Sequence, residues 1–422
     1  MAATERGGGE TFDLEISRHL AKLGCRVTFL SNIPVFGRAK LPVPNGVLLR
    51  SPMFPWFPWD RVKGGWRVRV WEFKRFEEKA ARWIIGHADD FDIIQICELP
   101  YLVSILKSEI RNPKSKIVLR LTAPNAHDPW GGVKLADAVI ASGTSISKIR
   151  GAVRPDVHDV PNAVDVERFR DEGDGDSGQR SEVGIRKSDV GPRTSDLRAA
   201  YGIPDSAPIL LYVARFQAFK NHRLLLDAFD EVLKSYPEAR LVLAGSGPLK
   251  GETEVRCQKS GIGGRVHFMG EVAYDDLPAV YRSADIKVIS SEYESFCFAA
   301  IEAMAAGLPV VTTDCGWVPR LIGDKLPPID KQWVQGADVP GRFEVEMDGQ
   351  RIRRVPGGMV VSRTEPESLA SAIQLMMRDS ATRETCGRWN REKAVREHGW
   401  ASSARKLLGV YQEVIGGQRS EV

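Results

Sequence analysis

The chain has 422 residues, enough for two or three domains that each bury a core. It is 43% hydrophobic and 27% charged, and its 59 basic and 55 acidic residues leave a formal net charge of +4. That balance is too even to argue for nucleic-acid binding, which needs clustered basic charge, and is compatible with a polyphosphate ligand or an anionic membrane surface. The cysteines (Cys25, Cys97, Cys257, Cys297, Cys315 and Cys386) are dispersed without a CxxC pair, which excludes a disulfide framework or a zinc knuckle. No apolar run approaches the ~20 residues that a membrane span needs. MAATERGGGE lacks the apolar stretch of a secretory signal. The expectation is a cytoplasmic protein, with peripheral contact at the inner face of a membrane left open.

In chain order, residues 11–20 recur at helical spacing and CRVTFLS (25–31) reads as a strand. Further strands are expected at 47–50, 91–96, 116–121 and 137–142, with a helix over 73–87. Alternating strands and helices imply a parallel sheet covered on both faces. Residues 170–195 are rich in Gly, Asp, Ser and Arg, cannot support a core, and read as a flexible insertion. Asp174-Gly-Asp176 inside it imitates a metal-binding DxD, but this composition produces such a triplet by chance. A second alternation follows: strands at 209–214, 239–247, 266–270, 286–290 and 310–314, with helices at 222–236, 277–284 and 366–379. The long helical pattern over 388–415 closes the chain. The boundaries that result are 1–169, an insertion at 170–195, a second α/β domain at 196–395 and a helical segment at 396–422.

Residues 291–311, SEYESFCFAAIEAMAAGLPVV, place Glu294 and Glu302 in an apolar run. Glu294 follows a strand, so it belongs at the carboxyl edge of the sheet, where open α/β sheets bind ligands. A helix expected to start near Ser295 or Phe296 leaves the amides of Phe296, Cys297 and Phe298 as a phosphate seat. Glu302 lies about 7.5 Å beyond Cys297 along the axis, so both carboxylates can meet one extended ligand. The plainer reading is a solvated helix residue and a cap. Arg215, ending a strand, and Lys220, preceding the next helix, supply two cations at the same edge, suited to a diphosphate.

Taken together these segments resemble the retaining nucleotide-sugar glycosyltransferases of the GT-B fold, glycosyltransferase family 4. The family's EGFGxxxxEAMAxGxPVV is matched from Glu294-Ser295-Phe296-Cys297 through Glu302 to Gly307 and Pro309. ARFQAFKN (214–221) resembles its GRLxxxKG, LVLAGSGPL (241–249) its glycine turn, VHFMGEV (266–272) the stretch near the nucleotide base, and VPNAVDVERF (160–169) the end of its N-terminal domain. The resemblance implies two Rossmann-like domains facing across a cleft, with residues 396–422 returning to the N-terminal domain through Leu407, Leu408, Val410 and Tyr411. It implies that Glu294 holds donor-sugar hydroxyls and acts at the catalytic centre, and that Glu302 holds the ribose. Arg215 and Lys220 would bind the diphosphate, with the amides of Ser295, Phe296 and Cys297 nearby. The donor would be a nucleoside-diphosphate sugar, with no metal and no cofactor, and the acceptor a carbohydrate, a lipid-linked compound or a small molecule.

The N-terminal half departs from the family. Gly7-Gly8-Gly9-Glu10 resembles its GGxE loop, with Gly8 and Gly9 approaching the donor phosphates, yet only MAATER precedes it, too polar and short for a central strand. The domain is expected to lack its first strand or to build its sheet differently. Thr122 stands where the family carries a histidine, so His127, with Asp128 behind it, is the candidate for that catalytic position. MFPWFPWDRVKGGWRVRVW (53–71) offers Trp56 and Trp59 beside basic residues as an acceptor wall, a lipid-facing patch or a packed loop, its prolines and glycines excluding a regular helix.

The competing functions are an oxidoreductase, for which AGSGPLKGE lacks the GxGxxG spacing, a sugar-phosphate epimerase, and a non-catalytic sugar-nucleotide or glycan-binding protein of the same fold.

Overall fold

The computed structural model describes residues 8–34, 46–51, 65–110, 114–121, 131–169, 197–324, 344–347, 350–362 and 365–416. These divide into an N-terminal unit, residues 1–163 joined by 400–422, and a C-terminal unit, Val164–Gly399. The first thus ends before Phe169, and the segment that rejoins it begins at Trp400 rather than at residue 396.

In the N-terminal unit, α1 (Gly8–Lys22) precedes β1 (Phe29–Pro34), β2 (Gly46–Ser51), α2 (Gly65–Gly86), β3 (Ile93–Cys97) and α3 (Pro100–Glu109). Then come β4 (Lys116–Leu121), α4 (Gly132–Leu135), β5 (Ala138–Ala141), α5 (Thr144–Ala152) and β6 (Val157–Asp159). The strands fall into two parallel sheets, β1-β2 and β3-β4-β5-β6. Three sequence expectations need correction. Gly8, Gly9 and Glu10 are the first turn of α1 rather than a loop. The helix is held by Phe12, Ile16 and Leu20, buried along one face, and that packing outweighs the poor propensity of glycine. The first strand starts at Phe29, not at residue 25, because Gly24 closes α1 in the left-handed region at φ 89° and the chain needs several residues to reach the sheet. Residues 65–71 belong to α2, since no proline lies between Pro58 and Pro100 and the helical pattern of 73–87 extends back to the glycine pair.

The C-terminal unit begins with α6 (Leu197–Tyr201), β7 (Ile209–Val213), α7 (His222–Ser235), β8 (Arg240–Ala244), α8 (Lys250–Lys259) and β9 (Val266–Gly270). It continues with α9 (Leu277–Arg282), β10 (Ile286–Ile289), α10 (Phe298–Ala305), β11 (Val310–Thr313) and α11 (Val318–Leu321). It ends with β12 (Glu344–Met347), β13 (Gln350–Val355), β14 (Gly358–Val361), α12 (Pro366–Arg378) and α13 (Ser380–His398). One sheet runs in the order β12-β13-β14-β11-β10-β7-β8-β9, parallel except for the β12-β13 hairpin arm at its edge. Its central strands are mostly apolar and almost wholly buried, Arg240, Lys287, Thr312 and Thr313 being their polar members, as a parallel sheet covered on both faces requires. α14 (Trp400–Ile415) then returns to the N-terminal unit. Its Leu407 and Val410 pack with Phe12 and Ile16, with Leu408 and Tyr411 at the margin, and Tyr411 Oη donates to Gln95 Oε1 at 2.6 Å. Both units are Rossmann-like α/β assemblies of the GT-B architecture. Among the described residues, no helix is long and apolar enough to cross a membrane.

Candidate donor-binding site

The C-terminal sheet reverses direction between β7 and β10. From β7 the chain proceeds outward through β8 and β9, then crosses back to place β10 on the other side of β7. Such a switch point leaves a crevice at the carboxyl ends of the two strands. The segment after β7 carries Arg215 and Lys220, and the segment after β10 carries Glu294.

Glu294 is buried, accepts from Lys220 Nζ at 2.5 Å and from Ser291 Oγ at 2.7 Å. Lys220 is fixed from its backbone side as well. Its carbonyl accepts from Tyr212 Oη and from Ser290 Oγ. The pair is therefore set by hydrogen bonds from both strands flanking the switch point. Arg215 is exposed at the same edge. The loop after β11 presses on Glu294 from beyond. Gly316 has φ 56°, and a Cβ there would meet the Glu294 carbonyl oxygen at 1.8 Å. Only glycine permits that approach.

α10 starts at Phe298, not at Ser295 or Phe296. Cys297 precedes it in the left-handed region, φ 74° and ψ 85°, and this reversal ends the extended run before the helix can begin. The amides at the helix start are accordingly those of Phe298, Ala299 and Ala300, and the last already donates to Cys297 O. Ser295 is half-buried, whereas Phe296 is buried and packs edge-on against Phe298 and His398. The Cys297 thiol is held well above its ordinary pKa, first by burial and then by the nearby Glu294 carboxylate.

Glu302 is buried one turn further along and accepts from Tyr281 Oη at 2.7 Å. Burial raises its pKa, while the Tyr281 hydrogen bond and the Lys287 charge oppose that shift. Sequence reading missed Lys287. Its side chain is completely buried in β10 and its Nζ has no hydrogen-bond partner among the described residues. The ammonium lies 5.2 Å from the Tyr212 ring centre and 5.9 Å from that of Tyr281, the two tyrosines that hold Lys220 and Glu302. Burial pulls its pKa down to about 8. A lone lysine inside the strand IKVIS was the available signal. Arg353 was missed too. It is buried on β13 and joins Asp314 and Asp324, each at 2.8 Å, bracing the loop that carries Gly316.

His127, Thr122, Asp128, Trp56 and Trp59 lie outside the described residues, as does Asp174-Gly-Asp176. Gly8 and Gly9 open α1 in the N-terminal unit. Among the described residues no cluster of three or more His, Cys, Asp or Glu side chains could hold a metal ion.

Residues 194–329 match the family described as glycosyl transferases group 1. Residues 194–329 thus carry a domain of the glycosyl transferases group 1 family. Its matched region takes in the whole switch point, from Arg215 to Gly316. The chain is 29% identical over 217 residues to an uncharacterized glycosyltransferase of Methanocaldococcus jannaschii, covering 51% of this chain and 48% of that protein. It is 30% identical over 229 residues to a D-inositol 3-phosphate glycosyltransferase of Corynebacterium kroppenstedtii, covering 53% and 44%. The chain thus spans about half the length of the curated relatives it matches. Among solved structures, sucrose-phosphate synthase from Thermosynechococcus elongatus superposes with a TM-score of 0.66 at 20% identity, covering 97% of this chain and 94% of that one. A glycosyltransferase from Rickettsia africae gives 0.67 at 14% identity, covering 98% and 97%. At such identities the likeness establishes the fold.

Proposed function

We propose that the chain transfers a hexose, with retention, from a nucleoside-diphosphate sugar to a carbohydrate, lipid-linked or small-molecule acceptor, acting in the cytoplasm without a metal ion. The observation that carries this reading is the switch-point pair, Glu294 locked to Lys220, with buried Glu302 one helix away. Glu294 would accept hydrogen bonds from the donor-sugar hydroxyls and Glu302 from the ribose, since ionised carboxylates are strong oriented acceptors. Lys220, Arg215 and the amides at the start of α10 would carry the diphosphate, stabilising the charge that develops as the anomeric carbon–oxygen bond breaks. The acceptor oxygen bonds to the anomeric carbon on the same face, and its proton passes to the departing phosphate. His127 is the proposed acceptor-side group.

The test incubates the protein with UDP-, GDP- and ADP-hexoses and an acceptor panel, and reads nucleotide release and product configuration by NMR. Release of nucleoside diphosphate with an axial product supports the reading. An inverted product would overturn retention, and a panel with neither binding nor release would overturn the donor site itself. A second reading, a sugar-nucleotide-binding protein without turnover, is favoured by the divided sheet of the N-terminal unit. Binding of nucleotide without release under any acceptor would select it.

A further inference from the structure

Lysine is out of place in β10. The strand is a central member of a parallel sheet covered on both faces, and its other residues are Ile286, Val288 and Ile289. Lys287 is nevertheless 0% exposed, and its Nζ has no hydrogen-bond partner among the described residues. A buried charge without a hydrogen bond lowers stability, and a methionine would fill similar space without that penalty. Such a group is a candidate for function when its surroundings give it something to act on.

The surroundings of Lys287 meet that condition. β7 brings Tyr212, whose ring centre lies 5.2 Å from the ammonium, and α9 brings Tyr281 at 5.9 Å. Both hydroxyls are committed to the candidate site: Tyr212 Oη donates to the carbonyl of Lys220, and Tyr281 Oη donates to Glu302 Oε2 at 2.7 Å. Burial works against the ammonium; the Glu302 and Glu294 carboxylates favour it and Lys220 opposes it. The Cys297 thiol also faces it but stays protonated, so it brings no charge. Lys220 and Glu294 are paired with each other at 2.5 Å and largely cancel. Glu302 receives only a neutral phenol and has no ion pair among the described residues. Its charge is the one left for Lys287 to balance.

We propose that Lys287 is a positioning residue of the donor site, its ammonium serving as the counter-charge of the Glu302 carboxylate, to which it is linked through Tyr281. It does not touch the ligand. Glu302 is buried, and burial by itself drives a carboxyl toward its neutral form. A protonated carboxyl must donate from one oxygen, whereas a carboxylate accepts through both. Two acceptors suit the vicinal hydroxyls of a ribose, so Lys287 sets the form of Glu302 that binds a ribonucleoside diphosphate. The identity of that ligand rests on the function proposed above; the link between Lys287 and Glu302 does not.

The full chain is compared with its Lys287→Met and Glu302→Gln variants and with the double variant. In the ligand-free protein, the Glu302 carboxyl is titrated by NMR of its side-chain carbon, a signal assigned by its loss in Glu302→Gln. Affinity for UDP, GDP and ADP is measured by calorimetry at pH 6 and pH 9. In Lys287→Met the Glu302 midpoint is expected to move to higher pH, and affinity to fall about tenfold at pH 6. At pH 9 the parent lysine, with its pKa of about 8, is itself mostly neutral and Glu302 is ionised in both proteins, so they should bind alike. With glutamine at position 302, Lys287→Met should change affinity no further, because the two residues act as one unit. A lysine that only fills space alters the melting temperature and leaves the titration where it was. An unmoved midpoint overturns the proposal, as does an equal loss of affinity at both pH values or additive losses in the double variant. If the parent binds none of the three nucleotides, the donor-site reading fails, and the carboxyl titration still decides the role of Lys287.

Discussion

The two units are built from the same alternation of strand and helix, yet they hold charge in different ways. In the C-terminal unit the sheet is continuous, and two of its buried ions are each held from two sides: Glu294 by Lys220 and Ser291, and Arg353 by Asp314 and Asp324. In the N-terminal unit the sheet is divided, and its central ion pair spans a strand and a helix. Arg120 on β4 reaches Asp13 on α1 at 2.7 Å and lies 3.9 Å from the centre of the Phe12 ring. A continuous sheet supplies a rigid frame for a site. A divided one leaves helices to supply it.

Removing one arginine from each unit tests that contrast most strongly. Arg353→Met leaves two buried aspartates without their shared counter-charge, and breaking a buried pair this way destabilises by about 3–5 kcal/mol. Arg120→Met leaves Asp13, whose side chain is 17% exposed and can rehydrate, so a loss of about 1–3 kcal/mol is expected. Urea unfolding of both variants measures the two losses. A larger loss from Arg120→Met would break the comparison.

Lys287 is the exception inside the rigid unit, a buried cation with no hydrogen-bond partner among the described residues. Burial holds its folded pKa at about 8, below the ordinary lysine value of 10.5. Between those values the unfolded chain binds more protons, so stability rises with pH across that window. Lys287→Met removes the cost of burying the charge. It is expected to stabilise by about 3 kcal/mol at pH 7, with the gain shrinking above pH 8 and gone above pH 10.5. Thermal unfolding across that range checks it, and a gain independent of pH would show that the ammonium is not the source.

The contrast between units also governs what could be read in advance. The strand expected at 266–270 is β9, and those at 286–290 and 310–314 end one residue beyond β10 and β11. Strands buried on both faces are continuous apolar runs, and such runs are unmistakable beside polar turns. Glu294, Glu302 and Lys220 were legible for the same reason, as charges standing at the edges of those runs. The β12-β13 hairpin went unread because its strands are charged, although Asp348-Gly349 between them is a turn signal. Arg353 was lost with it. In the N-terminal unit, the start of β1 and the helix over 65–71 were misplaced because their local signals were overlooked, the left-handed Gly24 after α1 and the backward extension of the 73–87 pattern.

Activity separates the two glutamates within the rigid unit. On the proposed function, Glu294→Gln would weaken a contact at the reacting sugar that strengthens in the transition state, and it also removes the counter-charge of Lys220. A charged hydrogen bond contributes about 1.5–3 kcal/mol, so kcat should fall about 10–100-fold. On the same proposal, Glu302→Gln would weaken a uniform contact to the ribose and should raise the donor KM with kcat nearly unchanged. Tyr281 Oη can still donate to the glutamine oxygen, so the fold is expected to persist. Steady-state kinetics on both variants decide the matter. The same change in kcat and KM from each would remove the division of labour.

The smallest expected effect concerns the junction between Glu294 and α10. Cys297 adopts φ 74°, a region in which a side chain costs about 1–2 kcal/mol and glycine almost nothing. The helix begins where it does because of that reversal, so the strain belongs to the site rather than to a dispensable loop. Cys297→Gly keeps the reversal and removes the strain, but it surrenders the half-buried thiol and adds freedom to the unfolded chain. The balance is expected to favour the variant by about 1 kcal/mol, a rise of roughly 2–4 °C in Tm for a unit of this size. Calorimetry measures it directly. Cys297→Val supplies the opposite arm, because a β-branched side chain tolerates the left-handed region least, and its Tm should fall. If the glycine variant melts lower than the parent, thiol packing outweighs the backbone strain, and the rigid frame of this unit extends into the turn itself.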